Sequence, residues 1–362
     1  MMSLVKFHVT GLVASAFLSL SFGVHADQYH LPILQYHHVD ETTPFSTSVT
    51  PAQFQAHLDY LQNEGFQVID LRSGLNTLRA GKALPDKAVA ITFDDAYRNI
   101  YDNGFPILKE KGFPFTVFIN SDPVLKRNRQ FLTWDNMREM QQYGGVMANH
   151  TISHPYMVRK EKGETYGDWF ERIKNEVLQV ETLLIDKLGQ SPKMLAYPYG
   201  ESNDAIRAFL TQEGIIGFGQ QSGVVGVDSN FTNLPRFPAA GAYADLEALK
   251  TKLSSIPMPL DAVETKGDFA GDDPVTMTLT LKNGQYRTKE LNCYVSGQGK
   301  ASLEWLAPQK VAITAAEPFS YGRGRINCTM PANKGAHYHW FSNVWVKPRA
   351  EEGYVMEKSE KY

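Results

Sequence analysis

The sequence lacks an excess of charge of either sign. Its 36 Lys and Arg residues nearly balance 39 Asp and Glu residues, which leaves a formal net charge of −3 at pH 7. A chain without a strongly basic character offers no electrostatic reason to bind nucleic acid or an anionic membrane. Neutral polymers and small molecules therefore remain as the expected partners.

Long apolar runs are also lacking beyond the N-terminus, as are internal repeats and low-complexity tracts. The one long apolar run covers residues 9–24, follows Lys6 and ends near Ala26. This order is typical of a secretory signal that is cleaved, here over residues 1–26. The alternative is a membrane anchor, although the run is short for a span and no second run follows. We expect a secreted or periplasmic protein with no transmembrane span after signal removal.

Cysteine is scarce, since Cys293 and Cys328 are the only two in the chain. Both lie far along the sequence from the acidic and histidine motifs described below. In an exported protein, two cysteines are expected to form one disulfide bond. The alternative is a pair of unrelated buried thiols.

Short apolar strands alternate with helices about seven times over residues 31–253. Clear signals are the capped helix that starts after Thr50, the apolar strand at 88–93 and the long amphipathic helix at 166–188. This alternation predicts a parallel sheet with helical crossovers, either closed as a barrel or open.

The pattern changes after Pro257, where apolar and polar residues begin to alternate with a period of two. Turn residues such as Asn283-Gly284 separate these runs, which predicts a small antiparallel β-sandwich. We therefore expect an α/β domain at 27–258 and an all-β sandwich domain at 259–362.

Two adjacent carboxylates, Asp94 and Asp95, directly follow the strand predicted at 88–93. Two acids in one cleft are unfavourable unless a metal ion or a proton compensates their charge. His150 and His154 follow another predicted strand, so they should lie at the same edge of the sheet. Asp95 and the two histidines would form a hydrolytic metal site with an open coordination position. Asp94 would then act as the general base.

Each of these pairs has a simpler explanation when taken alone. The two acids could form a strand-end turn or cap a helix, and the two histidines could be surface residues beside Pro155. Their coincidence at neighbouring strand ends favours a site.

Three motifs resemble those of the polysaccharide deacetylases, the NodB-homology group also called family four carbohydrate esterases. They are Thr92-Phe93-Asp94-Asp95, His150-Thr151-Ile152-Ser153-His154 and Tyr197-Pro198-Tyr199-Gly200. The resemblance covers about residues 31–253. It is strongest to exported deacetylases of poly-β-1,6-N-acetylglucosamine, in which the sheet is circularly permuted. It implies a distorted (β/α) barrel of NodB type and removal of N-acetyl groups from N-acetylhexosamine units of a polysaccharide by a metal-bound water.

The resemblance also implies roles for individual residues. His37 would protonate the leaving amine, and the backbone amide of Tyr199 would join the metal as the oxyanion hole. The ion would be divalent, with zinc as the first choice and cobalt or nickel as alternatives.

Two positions depart from the family pattern or leave it ambiguous. Many members carry an arginine that orients the base, but this chain has Ala196 at that position. Arg236 is the candidate substitute, and the alternative is a surface arginine at a strand end. His38 could replace His37 as the acid, but alternation along a strand would allow only one of them to face the cleft.

Two rival functions remain open at this point. An esterase that removes O-acetyl groups from a polysaccharide would use the same site, with less dependence on His37. A non-catalytic glycan-binding protein would keep the cleft without turnover. In the predicted sandwich, Trp305, Trp340 and Trp345 would form either part of the core or a platform for sugar.

Overall fold

The computed structural model describes residues 28–349, so the predicted signal segment 1–26 lies outside the described residues. Within this range, no helix is both long enough and apolar enough to cross a membrane.

A curled and mostly parallel sheet forms the first part of the structure. Its strands are β1 (His30–Tyr36), β4 (Gln67–Val68), β5 (Ala88–Phe93), β6 (Phe115–Ile119), β7 (Gly145–Asn149), β8 (Met194–Ala196), β9 (Ile216–Phe218), β10 (Val224–Gly226) and β11 (Phe237–Pro238). Seven of these nine strands follow the order β10-β1-β5-β6-β7-β8-β9, while β4 pairs with β5 and β11 with β1. Only β10 runs antiparallel to its neighbour. A separate small ladder pairs β2 (His38–Val39) with β3 (Ser48–Val49). The prediction of a distorted barrel with a parallel sheet is confirmed.

The segment 234–238 joins the two ends of the curled sheet. Leu234 forms a bridge with Phe218 of β9, and β11 pairs in parallel with β1. Arg236 lies between these two contacts and is fully buried. The Arg236 side chain therefore lies in the interior of the barrel and not on its surface.

Helices connect the parallel strands. They are α1 (Pro51–Asn63), α2 (Leu71–Arg79), α3 (Phe105–Lys111), α4 (Ser121–Leu125), α5 (Trp134–Gln141), α6 (Tyr166–Leu188), α7 (Asp204–Glu213) and α8 (Leu246–Leu253). Thr50, Thr133 and Thr165 each form a capping box at the start of a helix. These caps satisfy backbone N–H groups that have no partner inside the helix, which is why the sequence marks these starts clearly.

The central strand β5 is buried at all six positions because β1 and β6 flank it and helices cover the sheet. Phe93 at its end packs on Tyr36, Phe54 and Phe115. This aromatic cluster supports the strand end from which Asp94 projects.

The C-terminal β region, residues 256–347, contains two further sheets. Its strands are β12 (Ile256–Pro257), β13 (Leu260–Glu264), β14 (Thr276–Leu281), β15 (Asn292–Val295), β16 (Gly299–Lys300), β17 (Ser302–Ala307), β18 (Lys310–Thr314), β19 (Gly322–Pro331) and β20 (Tyr338–Lys347). The sheets have the orders β12-β20-β19-β15-β16 and β13-β14-β18-β17. Apolar side chains from both sheets share one core, as expected for a sandwich.

The predicted disulfide is confirmed. Cys293 of β15 and Cys328 of β19 face each other in the strand register and are bonded. The three tryptophans do not form a common platform. Trp345 is buried in the sandwich core, Trp340 packs against Phe237, and Trp305 is partly exposed on strand β17 at the edge of its sheet.

The C-terminal β region docks on the barrel through several contacts. Trp340 of β20 packs on Phe237 of β11 in a T-shaped contact, with ring centroids 5.2 Å apart. Arg207 of α7 donates a hydrogen bond of 2.7 Å to Asp268. These contacts place the start of β19 beside the carboxyl edge of the barrel sheet.

Candidate active site

Asp94 is held at the end of β5 by a buried arginine. The Arg236 guanidinium donates from Nη1 to Asp94 Oδ1 at 2.7 Å and from Nη2 to Oδ2 at 2.8 Å. Gln35 of β1 donates to Oδ2 at 2.7 Å. Both members of the ion pair are fully buried, so the paired hydrogen bonds fix the carboxylate in one orientation.

The charge of Arg236 controls the protonation of this acid. Burial by itself would raise the pKa of Asp94, but the Arg236 guanidinium, with smaller effects of His150 and His37, holds the pKa well below its usual range. Asp94 is therefore a carboxylate at neutral pH despite complete burial.

Asp95 and Ala96, which follow Asp94, have an unusual backbone conformation. Asp95 has φ 70° and Ala96 has φ 59°, both in the left-handed region that L-residues rarely adopt. In this conformation, Asp95 Oδ1 lies 3.2 Å from His150 Nε2 and 3.4 Å from His154 Nε2. The structure thus brings together the three residues that the sequence suggested as ligands.

The spacing of these three side chains fits a divalent ion. Their ligand atoms all lie within 4.8 Å of one another. Bonds of about 2.1 Å in a tetrahedron place ligand atoms roughly 3.4 Å apart, which matches the two contacts of Asp95. His150 directs Nδ1 to the carbonyl of Ala196 at 2.7 Å, so its Nε2 is left for a metal.

The loop that carries the two histidines is fastened to α6. Asn149 accepts a hydrogen bond from Thr151 N and donates to the buried carboxylate of Glu181 at 2.8 Å. Glu176 accepts from the backbone N–H groups of Ile152 and Ser153 at 2.8 and 2.9 Å. Asn149 is therefore a loop-fixing residue here and not a group that faces the cleft.

His37 and His38 lie on different sides of the chain. His37 lines the cleft, with its Nε2 3.8 Å from Asp94 Oδ2. His38 is mostly buried, stacks on Tyr97 with ring centroids 3.7 Å apart and is hydrogen bonded to Asn99. Of the two candidates, only His37 reaches the acid pair.

Tyr199 occupies a tight turn beside the metal-ligand cluster. It has φ 57° and ψ 3°, again in the left-handed region, and Gly200 follows with φ 70°. Its ring stacks on Tyr156 with centroids 3.8 Å apart and meets His154 in a T-shaped contact. The Arg159 guanidinium covers the Tyr156 ring at 3.3 Å. The turn is therefore packed against the loop that carries the predicted ligand His154.

A cleft with a volume of about 560 Å³ opens beside these groups. Both parts of the chain line it. The barrel contributes His37, Asp95, His154 and Tyr199, and the C-terminal β region contributes Arg323.

Sequence reasoning missed three residues that shape this site. Gln35 had a signal, because it is a single polar residue inside the apolar strand 31–36. No signal in the sequence marks Glu176 or Arg323, because each acts through a contact between segments that are distant in sequence.

Solved structures with the same fold were found by comparison. The Streptococcus pyogenes deacetylase PplD in complex with acetate is 24% identical, with a TM-score of 0.57, and the match covers 62% of this chain and 99% of that one. The structure of IcaB from Ammonifex degensii is 22% identical, with a TM-score of 0.53, covering 61% and 96%. The fold is thus the NodB-type distorted barrel.

Sequence comparisons agree with this fold. Residues 81–216 match the family model described as polysaccharide deacetylase. The chain therefore contains a polysaccharide deacetylase domain of the NodB type.

Three curated relatives give the scale of the similarity. The YxkH protein of Bacillus subtilis is 29% identical over 174 residues, which is 48% of this chain and 58% of that protein. The poly-β-1,6-N-acetyl-D-glucosamine N-deacetylase of Escherichia coli K12 is 26% identical over 189 residues, covering 43% and 28%. The Staphylococcus aureus MRSA252 enzyme of the same name is 28% identical over 194 residues, covering 52% and 67%. The chain spans less than two thirds of the first two relatives.

Proposed function

We propose that this chain is a metal-dependent hydrolase that removes N-acetyl groups from N-acetylhexosamine units of a polysaccharide. The observation that carries the proposal is the pairing of a buried, ionised Asp94 with the Asp95, His150 and His154 cluster at one sheet edge. A base next to a metal-ligand set is the arrangement that amide hydrolysis needs. The names of the E. coli and S. aureus relatives support poly-β-1,6-N-acetylglucosamine as the substrate.

Asp95, His150 and His154 would hold the ion, with zinc as the first choice and cobalt or nickel as alternatives. When bound, a divalent ion supplies a Lewis acid that polarises the acetyl carbonyl and makes water acidic enough to react at neutral pH.

Asp94 would accept the proton of the attacking water at its carboxylate oxygens. Arg236 keeps this group ionised and fixes its direction, so it takes the place of the arginine absent at Ala196. Arg236 is a positioning residue in this scheme, since it contacts the base and not the cleft.

His37 would donate a proton to the leaving amine. It lines the cleft, with Nε2 3.8 Å from Asp94 Oδ2, and in this scheme the other two imidazoles of the site among the described residues, His150 and His154, bind the ion. The backbone N–H of Tyr199 would donate to the oxygen that becomes negative as the carbonyl is attacked.

We further propose the domain limits 27–258 for the deacetylase barrel and 259–362 for the sandwich. A secreted or periplasmic location is supported by the disulfide between Cys293 and Cys328, because such bonds persist in oxidising compartments.

The test is acetate release from a panel of N-acetylated and O-acetylated glycans, with and without a chelator. We expect release from N-acetylglucosamine polymers, loss with chelator and recovery with Zn²⁺ or Co²⁺. Release from O-acetylated glycans alone would replace the proposal with the esterase. Glycan binding without any release would replace it with the binding protein.

A further inference from the structure

We propose that Arg323, contributed by the C-terminal β region, is a positioning residue that holds the Tyr199 turn in its catalytic conformation. The inference rests on the proposed function, because it assigns the Tyr199 N–H to the oxyanion hole. It extends that function by making the second part of the chain a component of the active site.

The contact joins two distant segments. Arg323 Nη1 donates to the backbone carbonyl of Tyr199 and to Gln220 Oε1, the latter at 2.8 Å. Both acceptors lie on barrel loops that follow parallel strands, whereas Arg323 lies near the start of β19. A charged donor forms stronger hydrogen bonds to such acceptors than a neutral one does.

The Tyr199 turn needs such a restraint. Tyr199 and Gly200 are consecutive residues in the left-handed region, a conformation that is costly for a non-glycine residue. A Cβ atom at Gly200 would come within 2.8 Å of Arg323 Nη1 and of Gln220 Cβ. The guanidinium is therefore packed closely on the turn, and Gly200 is the residue type that leaves room for it.

The turn is fixed at both of its sides. Tyr156 holds the Tyr199 ring by stacking, and Arg323 holds the Tyr199 carbonyl. Fixing the ring and the carbonyl of one residue limits the rotation of its backbone, and so limits the direction of its N–H. An oxyanion donor is effective only if it is already aimed before the reaction.

The anchor of Arg323 is rigid. Strand β19 pairs with β20 along its whole length, from Gly322 opposite Lys347 to Pro331 opposite Tyr338. The disulfide at Cys328 ties the same strand to β15. The backbone of Arg323 is therefore set by a sheet and not by a loose loop.

The chain offers a matched control two residues along the same strand. Arg325 projects from the same face of β19 but donates to the hydroxyl of Tyr243 at 3.0 Å. It does not line the cleft. Loss of Arg325 should therefore disturb a contact between the barrel and the C-terminal β region without affecting Tyr199.

The experiment compares Arg323→Ala, Arg323→Lys and Arg325→Ala in the full-length, metal-loaded protein on N-acetylglucosamine oligomers. For Arg323→Ala we expect kcat to fall about tenfold, less than the ~100-fold typical of deleting an oxyanion donor, with KM changed less than about twofold. Arg323→Lys should recover part of kcat, because an ammonium can also donate to the carbonyl. Arg325→Ala should keep the wild-type kcat.

Two further readouts separate positioning from general damage. The visible spectrum of the Co²⁺-loaded Arg323→Ala protein should match the wild type, since no predicted ligand is changed. Its Tm should match that of Arg325→Ala. An unchanged kcat, a raised KM with unchanged kcat, or an equal loss in Arg325→Ala would overturn the proposal.

Failure of the two proposals would look different. A wild-type protein that releases no acetate from any N-acetylated glycan removes the proposed function, and the role of Arg323 with it. An active wild type with an unaffected Arg323→Ala variant removes only the inference about Arg323. Should Arg323→Ala not fold, Arg323→Lys and Arg323→Gln provide the same comparison.

Discussion

The barrel and the C-terminal β region have interiors of different kinds. Among the buried polar and charged side chains in residues 28–349, Ser342 alone belongs to the C-terminal β region, and the others lie in the barrel. The sandwich interior consists of apolar side chains and one disulfide. The barrel instead buries a complete ion pair, Asp94 with Arg236, and the carboxylate of Glu181.

The two interiors therefore differ in how much of their folding free energy offsets the burial of charged groups. Buried charges are unfavourable unless partners compensate them, so they persist where a specific arrangement is needed. An apolar sandwich interior carries no such desolvation cost, which suits a region that supports groups of the active site. Changes in the barrel interior should therefore alter chemistry as well as stability, and changes in the sandwich interior should alter stability alone.

The largest expected effect is at the proposed base. Asp94→Asn should lower kcat at least about 100-fold, because an amide cannot accept the proton. Metal content, measured by elemental analysis, should stay at the wild-type level because Asp94 is not a predicted ligand.

Asp102→Asn serves as a control for this substitution. Asp102 lies on the barrel surface and pairs with Arg98, so its loss should leave kcat unchanged. An Asp94→Asn protein that kept more than a tenth of wild-type kcat would remove Asp94 as the base.

The second largest effect is expected at Arg236, the ion-pair partner of Asp94. Arg236→Met should lower the free energy of unfolding by about 3–5 kcal/mol, because it leaves a buried carboxylate without its counter-charge. Since Arg236 holds the pKa of Asp94 below its usual range, its removal should raise that pKa. The acidic limb of the profile of kcat against pH should therefore shift to higher pH.

Urea unfolding and a pH series from 4 to 8 would measure both changes. A variant with wild-type stability and an unmoved acidic limb would contradict the role of Arg236.

The third effect tests the sandwich side of the comparison. Replacing Cys293 and Cys328 together by Ala should lower the free energy of unfolding by roughly 3–4 kcal/mol, the value expected for a closed loop of this length. The kcat should stay within about twofold of wild type at temperatures where the protein is folded. A large loss of kcat without a loss of stability would break the proposed division between the two regions.

The smallest effect is a dependence of stability on pH. Burial lowers the pKa of Lys252 to about 8, and its ammonium donates to the carbonyl of Pro238. The unfolded chain binds a proton more tightly than the folded one between pH 8 and 10.5. Stability should therefore rise with pH in this window, by at most about 1.4 kcal/mol per pH unit.

Lys252→Met removes this titrating group, so its stability should be flatter than wild type between pH 7.5 and 9.5. Parallel urea titrations at the two pH values measure the difference. Equal slopes for the two proteins would contradict the lowered pKa.

Local patterns in the sequence were sufficient to predict much of the fold. The capping box at Thr50 marked a helix start, because a cap involves only residues within one turn. The two cysteines form the predicted disulfide, which joins β15 and β19. Helix α2 was not predicted, because it is short and its cap, Asp70, follows a strand signal directly.

The candidate site was predictable where its residues are adjacent in sequence. Asp94-Asp95 and His150–His154 are short motifs, and strand alternation separated His37 from His38. Arg236 could be only a candidate, because its burial depends on how the segment 234–238 joins β9 to β1. Arg323 could not be predicted as part of the site. It contacts Tyr199, 124 residues away in sequence, only when the C-terminal β region packs on the barrel.

The pairing of β19 with β20 has a consequence for protein synthesis. The groups proposed to act on substrate or hold the ion lie between residues 37 and 199, so they leave the ribosome well before β20, which ends at Lys347. A nascent chain stopped near residue 300 would already carry the acids and imidazoles, but no guanidinium would rest on the Tyr199 carbonyl. We therefore expect full turnover to arise only when translation of the last described strand is complete.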